Sequence, residues 1–346
     1  MRLSLAITLA ICCSMAACAT AQQTEAVLDD SGDWVDVSKA PEPGSDEATM
    51  LEAARLIADG RPNKAKLILN RWIEDNERSE SPWLPHAYLL RGRARVASGN
   101  EYVALYDFER VVREFSGSEE FQPALVEEYK IATAYLRGLN RRFLGMRISP
   151  AESVGEELLI RTVERLPGSR LAEEPLVELA DYYFRELDLE SASTVYAALL
   201  KSFPRSRYRQ HAMSRRVWSN IAQFKGPKYD DSGLVEARAL IERYSTLYPA
   251  DARAAAFDDS VVAWIEESQA SKVLETARFY LRDGDPVSAK FTLQRLQRRH
   301  PNTVAAATAR DMARSRGWDL FPSAPELPEP GAEETAEEGS LREGGR

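Results

Sequence analysis

The sequence predicts an all-α fold, a solenoid of about six stacked helical hairpins. Three observations predict it. Apolar residues recur at helical spacing in pairs of short runs. The runs of a pair are mostly separated by a few residues, which favours antiparallel neighbours. Small residues and prolines recur at a fixed interval of twelve positions, which indicates a repeated unit.

The clearest hairpin covers residues 178–206. Asp188 to Glu190 are too few to form more than a tight turn between the two runs. Pro204 ends the second run, because its nitrogen has no proton to donate to a helix. The apolar and small positions are Leu179, Ala180, Tyr183 and Leu187 in the first run, and Ala192, Val195, Tyr196, Leu199 and Leu200 in the second.

The small residues and prolines define a register for the hairpins. The complete copies are Ala180, Ala192, Pro204 and Ala277, Ala289, Pro301, and the partial copies are Gly92, Ala104, Ser116; Ala53, Ala65, Glu77; Gly155, Pro167; and Ala237, Pro249. We expect the small residues where two helices cross, because a bulky side chain there would push the axes beyond about 8–10 Å.

Six hairpins and a closing helix follow from this register. At the turn of the sixth hairpin, Gly284 is expected in the left-handed conformation and Asp285 as the cap of the next helix. The predicted hairpins are 48–77, 84–115, a third beginning at Pro123 with its second helix at 152–166, 178–206, a fifth with helices 208–224 and 234–247, and 271–300, followed by a helix at 303–316.

A unit of about 34 residues with these marks resembles the tetratricopeptide repeat. The resemblance implies hairpins stacked into a right-handed superhelix with a concave surface that binds peptides or proteins. The helix positions flanking the crossing residues are the candidates for that surface: Leu89, Arg93, Val96, Val177, Asp181, Phe184, Arg185, Leu274, Arg278, Leu281 and Arg282. The alternative for each of them is that it lies on a solvated concave face without touching a partner.

Residues 140–150 interrupt the third hairpin and carry both arginines and large apolar side chains. Such an insert is either a longer loop or a functional projection. Arg142, Phe143 and Arg147 are therefore candidate contact residues, and a packed connector is the alternative.

The first residues have the pattern of an export signal, with Arg2, an apolar run and then small residues. Two cleavage sites compete. Residues 15–18 resemble the lipobox of bacterial lipoproteins, with Met15 where that pattern prefers Leu, and cleavage there would leave Cys18 to carry a lipid anchor. Ala19-Thr20-Ala21 instead fits ordinary signal peptidase, which would cut before Gln22 and release a soluble periplasmic protein. All three cysteines lie in this segment, so the body needs no disulfide chemistry.

The predicted organisation is a signal peptide at 1–17, lipidated Cys18 with a disordered tether at 18–47, a helical solenoid at 48–320, and a disordered acidic tail rich in Pro and Glu at 321–346. The tails hold the acidity of the chain. Residues 48–320 have 41 basic and 39 acidic side chains, whereas 321–346 have two and seven. A body with so little excess positive charge argues against nucleic acid as a partner.

No catalytic residue, metal site or cofactor is predicted. The histidines His86, His211 and His300 stand apart on different hairpins, and no phosphate-binding loop or nucleophile motif occurs. An enzyme would instead require a clustered pocket of titratable groups.

The links between hairpins extend the resemblance. They read Phe203-Pro204-Arg205-Ser206 and His300-Pro301-Asn302-Thr303, with Leu166-Pro167-Gly168-Ser169 close to them and Tyr248-Pro249-Ala250-Asp251 departing at the last place. Together with Phe143-Leu144-Gly145, they are similar to the BamD family of outer-membrane assembly lipoproteins.

That resemblance implies a non-catalytic, lipid-anchored protein on the periplasmic face of the outer membrane. Its partners would be the periplasmic domains of a β-barrel assembly protein, or unfolded outer-membrane protein segments. The alternative is a general envelope scaffold for a cell-wall or secretion complex.

Overall fold

The structure is a computed structural model that describes residues 26–28, 34–36, 41–79 and 81–321. Fourteen α-helices account for most of these residues, which confirms the all-α helical-repeat prediction. The handedness of the superhelix stays a prediction. The expectations for the signal peptide, Cys18 and the tail after Phe321 lie outside the described residues.

The chain divides into two compact units, Met1–Glu127 and Glu128–Arg346, and the boundary falls within the fifth helix. The helices that begin in the first unit are α1 (Asp46–Ala58), α2 (Pro62–Asn76), α3 (Leu84–Ala97), α4 (Glu101–Glu114) and α5 (Phe121–Leu136). The second unit holds α6 (Glu152–Arg165), α7 (Glu173–Arg185), α8 (Leu189–Ser202), α9 (Arg209–Ala222), α10 (Ser232–Leu247), α11 (Pro249–Ala252), α12 (Asp259–Arg282), α13 (Pro286–Arg299) and α14 (Val304–Arg314).

Within the units, the helices pair as six hairpins in chain order, as the register predicts. The pairs are α1 with α2, α3 with α4, α5 with α6, α7 with α8, α9 with α10, and α12 with α13, and α14 packs on the last pair. None of the helices among the described residues is long and apolar enough to span a bilayer.

The small residues of the register lie where helices cross. Ala180 of α7 and Ala192 of α8 are fully buried, and so are Ala277 and Ala289 of the last pair. At Gly92 of α3, an added Cβ would lie 2.4 Å from Cε1 of Phe108 on α4, so only glycine fits there. The sequence therefore predicts correctly which positions permit close helix packing.

The third hairpin has its own pair of small residues, which the insert hides in the sequence. A Cβ on Gly155 of α6 would lie 2.7 Å from the carbonyl oxygen of Ala132 on α5, and Ala132 is fully buried. The two residues are not twelve apart because residues 140–150 lengthen the connection. A search at fixed spacing could not find this pair.

The sixth hairpin starts earlier than predicted. Its first helix, α12, begins at Asp259 and not at residue 271. The carboxylate of Asp258 accepts hydrogen bonds from the backbone N–H groups of Ser260 and Val261, which caps the helix. Ile265 and Ala270 lie on the added turns and are fully buried, so these turns pack on the core. The turn at the other end is as expected, with Gly284 at φ +80° and Asp285 accepting from the Ser288 N–H at 2.9 Å.

The link before α14 acts as a helix cap. Thr303 Oγ1 accepts from the Ala306 N–H at 3.1 Å and begins α14. Glu267 of α12 reaches the same helix end and accepts from the N–H groups of Val304 and Ala305, at 2.7 and 2.9 Å. A carboxylate at a helix N-terminus is favourable, so this contact fixes α14 against α12.

In the described part of the chain, four short strands lie outside the helices. β1 (Ala26–Leu28) pairs antiparallel with β2 (Trp34–Asp36), within the segment expected to be a tether. β3 (Arg141–Phe143) pairs antiparallel with β4 (Met146–Ser149) in the insert. Leu144 and Gly145, at φ 49° and 84°, form its two-residue turn.

Candidate protein-binding surface

One predicted site residue, Asp181 of α7, joins three helices of the second unit. Its Oδ1 accepts a hydrogen bond from the hydroxyl of Tyr196 on α8 and lies 2.7 Å from Nε2 of His211 on α9. Tyr196 is fully buried, whereas the side chains of Asp181 and His211 are 30% and 39% exposed. The carboxylate is thus held in place from the core while it still faces solvent.

These hydrogen bonds determine the protonation of the group. Burial alone would raise the pKa of Asp181, but the hydrogen bonds from His211 and Tyr196 outweigh it and keep the pKa below its usual value. Burial and the neighbouring carboxylate together raise the pKa of Tyr196. Asp181 is therefore a fixed negative charge at neutral pH.

Two further candidates lie beside this carboxylate. The guanidinium of Arg215 on α9 lies 4.5 Å from the ring centroid of Phe184 on α7, a cation–π distance. Arg185 is exposed, and one guanidinium nitrogen donates to the Leu136 carbonyl at 3.3 Å. We call Asp181, Phe184, Arg185, His211 and Arg215 the α7–α9 surface.

The α7–α9 surface offers a peptide several kinds of contact. It has an anion at Asp181, cations at Arg185 and Arg215, and the half-buried ring of Phe184. Arginine and aromatic side chains contribute most to protein interfaces. Side chains held by neighbouring helices also lose less conformational entropy on binding.

Three of the predicted groove residues lie in the core instead. Leu89, Val177 and Leu274 are 3%, 7% and 5% exposed. Each lies on the helix face that the neighbouring helices cover, so these side chains offer almost no surface to a partner. For these three, the expectation of a solvent-facing groove position is corrected by the packing.

The three remaining arginine candidates of α3 and α12 form ion pairs. Arg93 donates from Nε to Glu127 Oε1 at 3.2 Å, and Val96 is half-buried. On α12, Glu275 accepts from both Arg278 and Arg282, at 3.4 and 3.2 Å. Leu281, which lies between these two arginines in the sequence, is half-buried. Their role as partner contacts stays a prediction.

The insert projects as a β-hairpin with exposed side chains. Phe143 faces Met146 across the two strands, and Arg142 faces Arg147. Phe143, Leu144 and Met146 are 56%, 83% and 57% exposed. The hairpin is not a packed connector, and its contact role stays a prediction.

Each histidine has one carboxylate neighbour. His86 lies 3.1 Å from Glu120, and His300 lies 3.8 Å from Glu266, as His211 lies beside Asp181. Among the described residues, no group of three or more His, Cys, Asp or Glu side chains could hold a metal ion.

Sequence reasoning missed His211 and Arg215. It treated His211 as isolated, because the contact with Asp181 spans 30 positions. Arg215 stands 34 positions after Asp181, at the repeat length itself. Extending the register to the first helix of the fifth hairpin would have found it.

Comparison with known protein families identifies one repeat in this chain. Residues 273–303 match the tetratricopeptide repeat family. The match covers the end of α12 and all of α13, where the register of small residues is complete. A comparison with curated protein sequences gives no match.

One solved structure with the same kind of repeat is similar to this chain. It is the C-terminal part of a TPR repeat-containing protein from Cytophaga hutchinsonii. The sequences are 12% identical, the alignment covers 78% of this chain and 88% of that one, and the TM-score is 0.38.

Proposed function

We propose that this protein is a non-catalytic scaffold of the bacterial cell envelope, a BamD-like lipoprotein that takes part in outer-membrane β-barrel assembly. The α7–α9 surface carries the scaffold part of the proposal. It presents fixed charges and an aromatic ring on helices of a repeat type that generally mediates protein–protein interactions. The export pattern at Met1–Cys18 and the Pro-x-Ser/Thr links support the envelope part.

The proposed partner is an extended polypeptide or a small domain with both charged and aromatic groups. Asp181 would accept from its backbone or basic groups, Arg185 and Arg215 would bind its carboxylates, and Phe184 would pack against its aromatic side chains. The periplasmic domains of a β-barrel assembly protein and unfolded outer-membrane protein segments both offer these groups.

The first experiment concerns localisation. Intact-mass analysis of the mature protein should find a chain that begins with an acylated Cys18, and fractionation should find it in the outer membrane. A chain that begins at Gln22 would make it a soluble periplasmic protein.

The second experiment concerns the partner. The intact protein, purified from detergent-solubilised outer membrane, should bring a β-barrel protein with it, and Arg215→Ala should reduce its recovery. Arg161→Ala is the matched control, because Arg161 is an exposed arginine that pairs within its own helix with Glu157. Recovery of a cell-wall or secretion protein in its place would favour the general envelope scaffold.

A further inference from the structure

The last two helices carry an excess of positive charge. Residues 286–320 contain seven Lys and Arg side chains against two Asp. Four of these arginines form no ion pair with any carboxylate of the described residues, and all four are exposed: Arg295, Arg298, Arg299 and Arg310. This excess differs from the rest of the body, where the two signs nearly balance.

On the outer face of α13, exposed apolar side chains lie next to two of these arginines. Val287 and Phe291 are 78% and 61% exposed. Together with Arg295 and Arg298 they follow helical spacing, so the four share one face. We call Val287, Phe291, Arg295 and Arg298 the α13 stripe. The opposite face, with Leu293 and Leu296, is buried.

The described chain ends in the core that this helix shares with α12 and α14. Leu320 is 8% exposed and belongs to the same core cluster as Leu293 and Leu296 of α13. The 25 residues after Phe321 therefore start from a core to which α13 contributes.

The sequence after Phe321 complements the stripe in charge and polarity. Residues 322–346 contain seven Glu and two Arg. The first two glutamates, Glu326 and Glu329, flank Leu327 in the segment Pro-Glu-Leu-Pro-Glu-Pro. Six residues from Phe321 to Leu327 reach about 19 Å at the rise of a proline-rich chain, more than the diameter of about 10–12 Å of a helix. Proline also reduces the conformational entropy that such a segment loses on binding.

We infer that the acidic C-terminal segment of this chain, centred on residues 325–330, docks on the α13 stripe. Leu327 packs against Phe291 and Val287, and Glu326 and Glu329 pair with Arg295 and Arg298. The segment thereby covers the exposed face of α13 until a competing acidic partner displaces it.

Site-specific photo-crosslinking of the full mature protein tests this inference. The photoreactive residue benzoylphenylalanine replaces Phe291, and the matched control carries it in place of Val235 of α10, which is 57% exposed. Trypsin releases the tail as one peptide, residues 317–342, because no Lys or Arg lies between Arg316 and Arg342. A mixture of heavy- and light-isotope protein separates links within one chain from links between two.

The expected result is a link within one chain from position 291 to peptide 317–342, with fragments that place it in 325–330. The position 235 control should give no such link. Glu326→Gln with Glu329→Gln should reduce its yield by about fivefold, the loss expected for two exposed ion pairs. Glu337→Gln with Glu338→Gln removes the same charge and should leave the yield unchanged.

Three results would overturn the inference. A link only between heavy and light chains would make the stripe a self-association surface. Absence of the tail peptide at position 291 would leave the stripe without this occupant. Equal loss with the distal glutamate pair would mean that the tail is attracted by general charge, without a docked segment.

Discussion

Two hairpins each place one aspartate among several partner side chains, and they use it differently. In α3–α4, Asp107 is 2% exposed as a side chain and lies 2.7 Å from Arg91 Nη2 and from Arg95 Nη1. In α7–α8, Asp181 is 30% exposed and joins Tyr196 and His211. The first aspartate is part of the interior, and the second remains accessible to a partner.

The difference lies in how far the donors around each aspartate are buried. Arg91 also donates to Asn70 of α2 at 3.3 Å, and its guanidinium lies 5.1 Å from the ring of Tyr88. The pKa of Tyr88 is raised to about 12, chiefly by burial. The two arginines that donate to Asp107 are thus largely buried, with side chains 15% and 20% exposed. At Asp181 only Tyr196 is enclosed, so the carboxylate keeps lone pairs for a ligand.

The largest expected effect is the loss of the buried acid. Asp107→Ala leaves two guanidinium groups without their shared carboxylate, so the free energy of unfolding should fall by about 3–5 kcal/mol. Urea unfolding followed by tryptophan fluorescence measures it. Asp311→Ala, which removes an exposed partner of Arg314, should change it by less than about 0.5 kcal/mol. Equal losses for the two variants would abolish the distinction between buried and exposed aspartates.

The next effect concerns how closely α3 and α4 pack. Gly92→Ala inserts a methyl group 2.4 Å from Phe108, so it should cost about 1–3 kcal/mol through displacement of α4. Gly117→Ala is the control, since a Cβ there meets nothing within 4 Å. Thermal unfolding of both variants measures the difference. A Gly92→Ala protein as stable as the control would mean that the crossing tolerates a larger residue.

A smaller effect is expected at the accessible aspartate. Tyr196→Phe removes the hydroxyl that donates to Asp181, and it should lower the free energy of unfolding by about 1 kcal/mol. The loss is limited because water can replace the donor at a carboxylate that is 30% exposed. Tyr229→Phe, at a residue 59% exposed, should have no measurable effect in the same denaturant titration. A fall in the free energy of unfolding above about 3 kcal/mol would mean that Asp181 behaves as a buried aspartate, like Asp107.

The smallest expected effect is a pH dependence of the free energy of unfolding that comes from Asp181. The folded state lowers the pKa of Asp181, so its ionised form contributes stability above the unfolded value of about 3.9. That contribution is lost as the pH falls through the lower folded pKa. The difference in unfolding free energy between wild type and Asp181→Asn should therefore shrink between pH 5 and the acid limit. A difference that grows on acidification would reverse the sign and contradict the assignment.

Local sequence signals were sufficient for the helical hairpins. Ala180, Ala192 and Pro204 act within one hairpin, where spacing along the chain fixes spacing in the helix. Spacing did not reveal the contact between Ala132 and Gly155, because the insert changes how many residues separate them along the chain without changing their contact in space. The early start of α12 was missed for a related reason, since its cap at Asp258 lies outside the repeat pattern.

The sequence by itself determined that this chain forms paired helices, where they cross and where most of them end, because those properties depend on neighbours a few residues apart. Only the tertiary structure decided which faces the neighbouring helices cover. It buried Leu89, Val177 and Leu274, each three positions before a crossing residue, and it brought Tyr196 and His211 to Asp181. Hydrogen bonds between separate helices depend on how the helices pack, and no spacing within one helix encodes that.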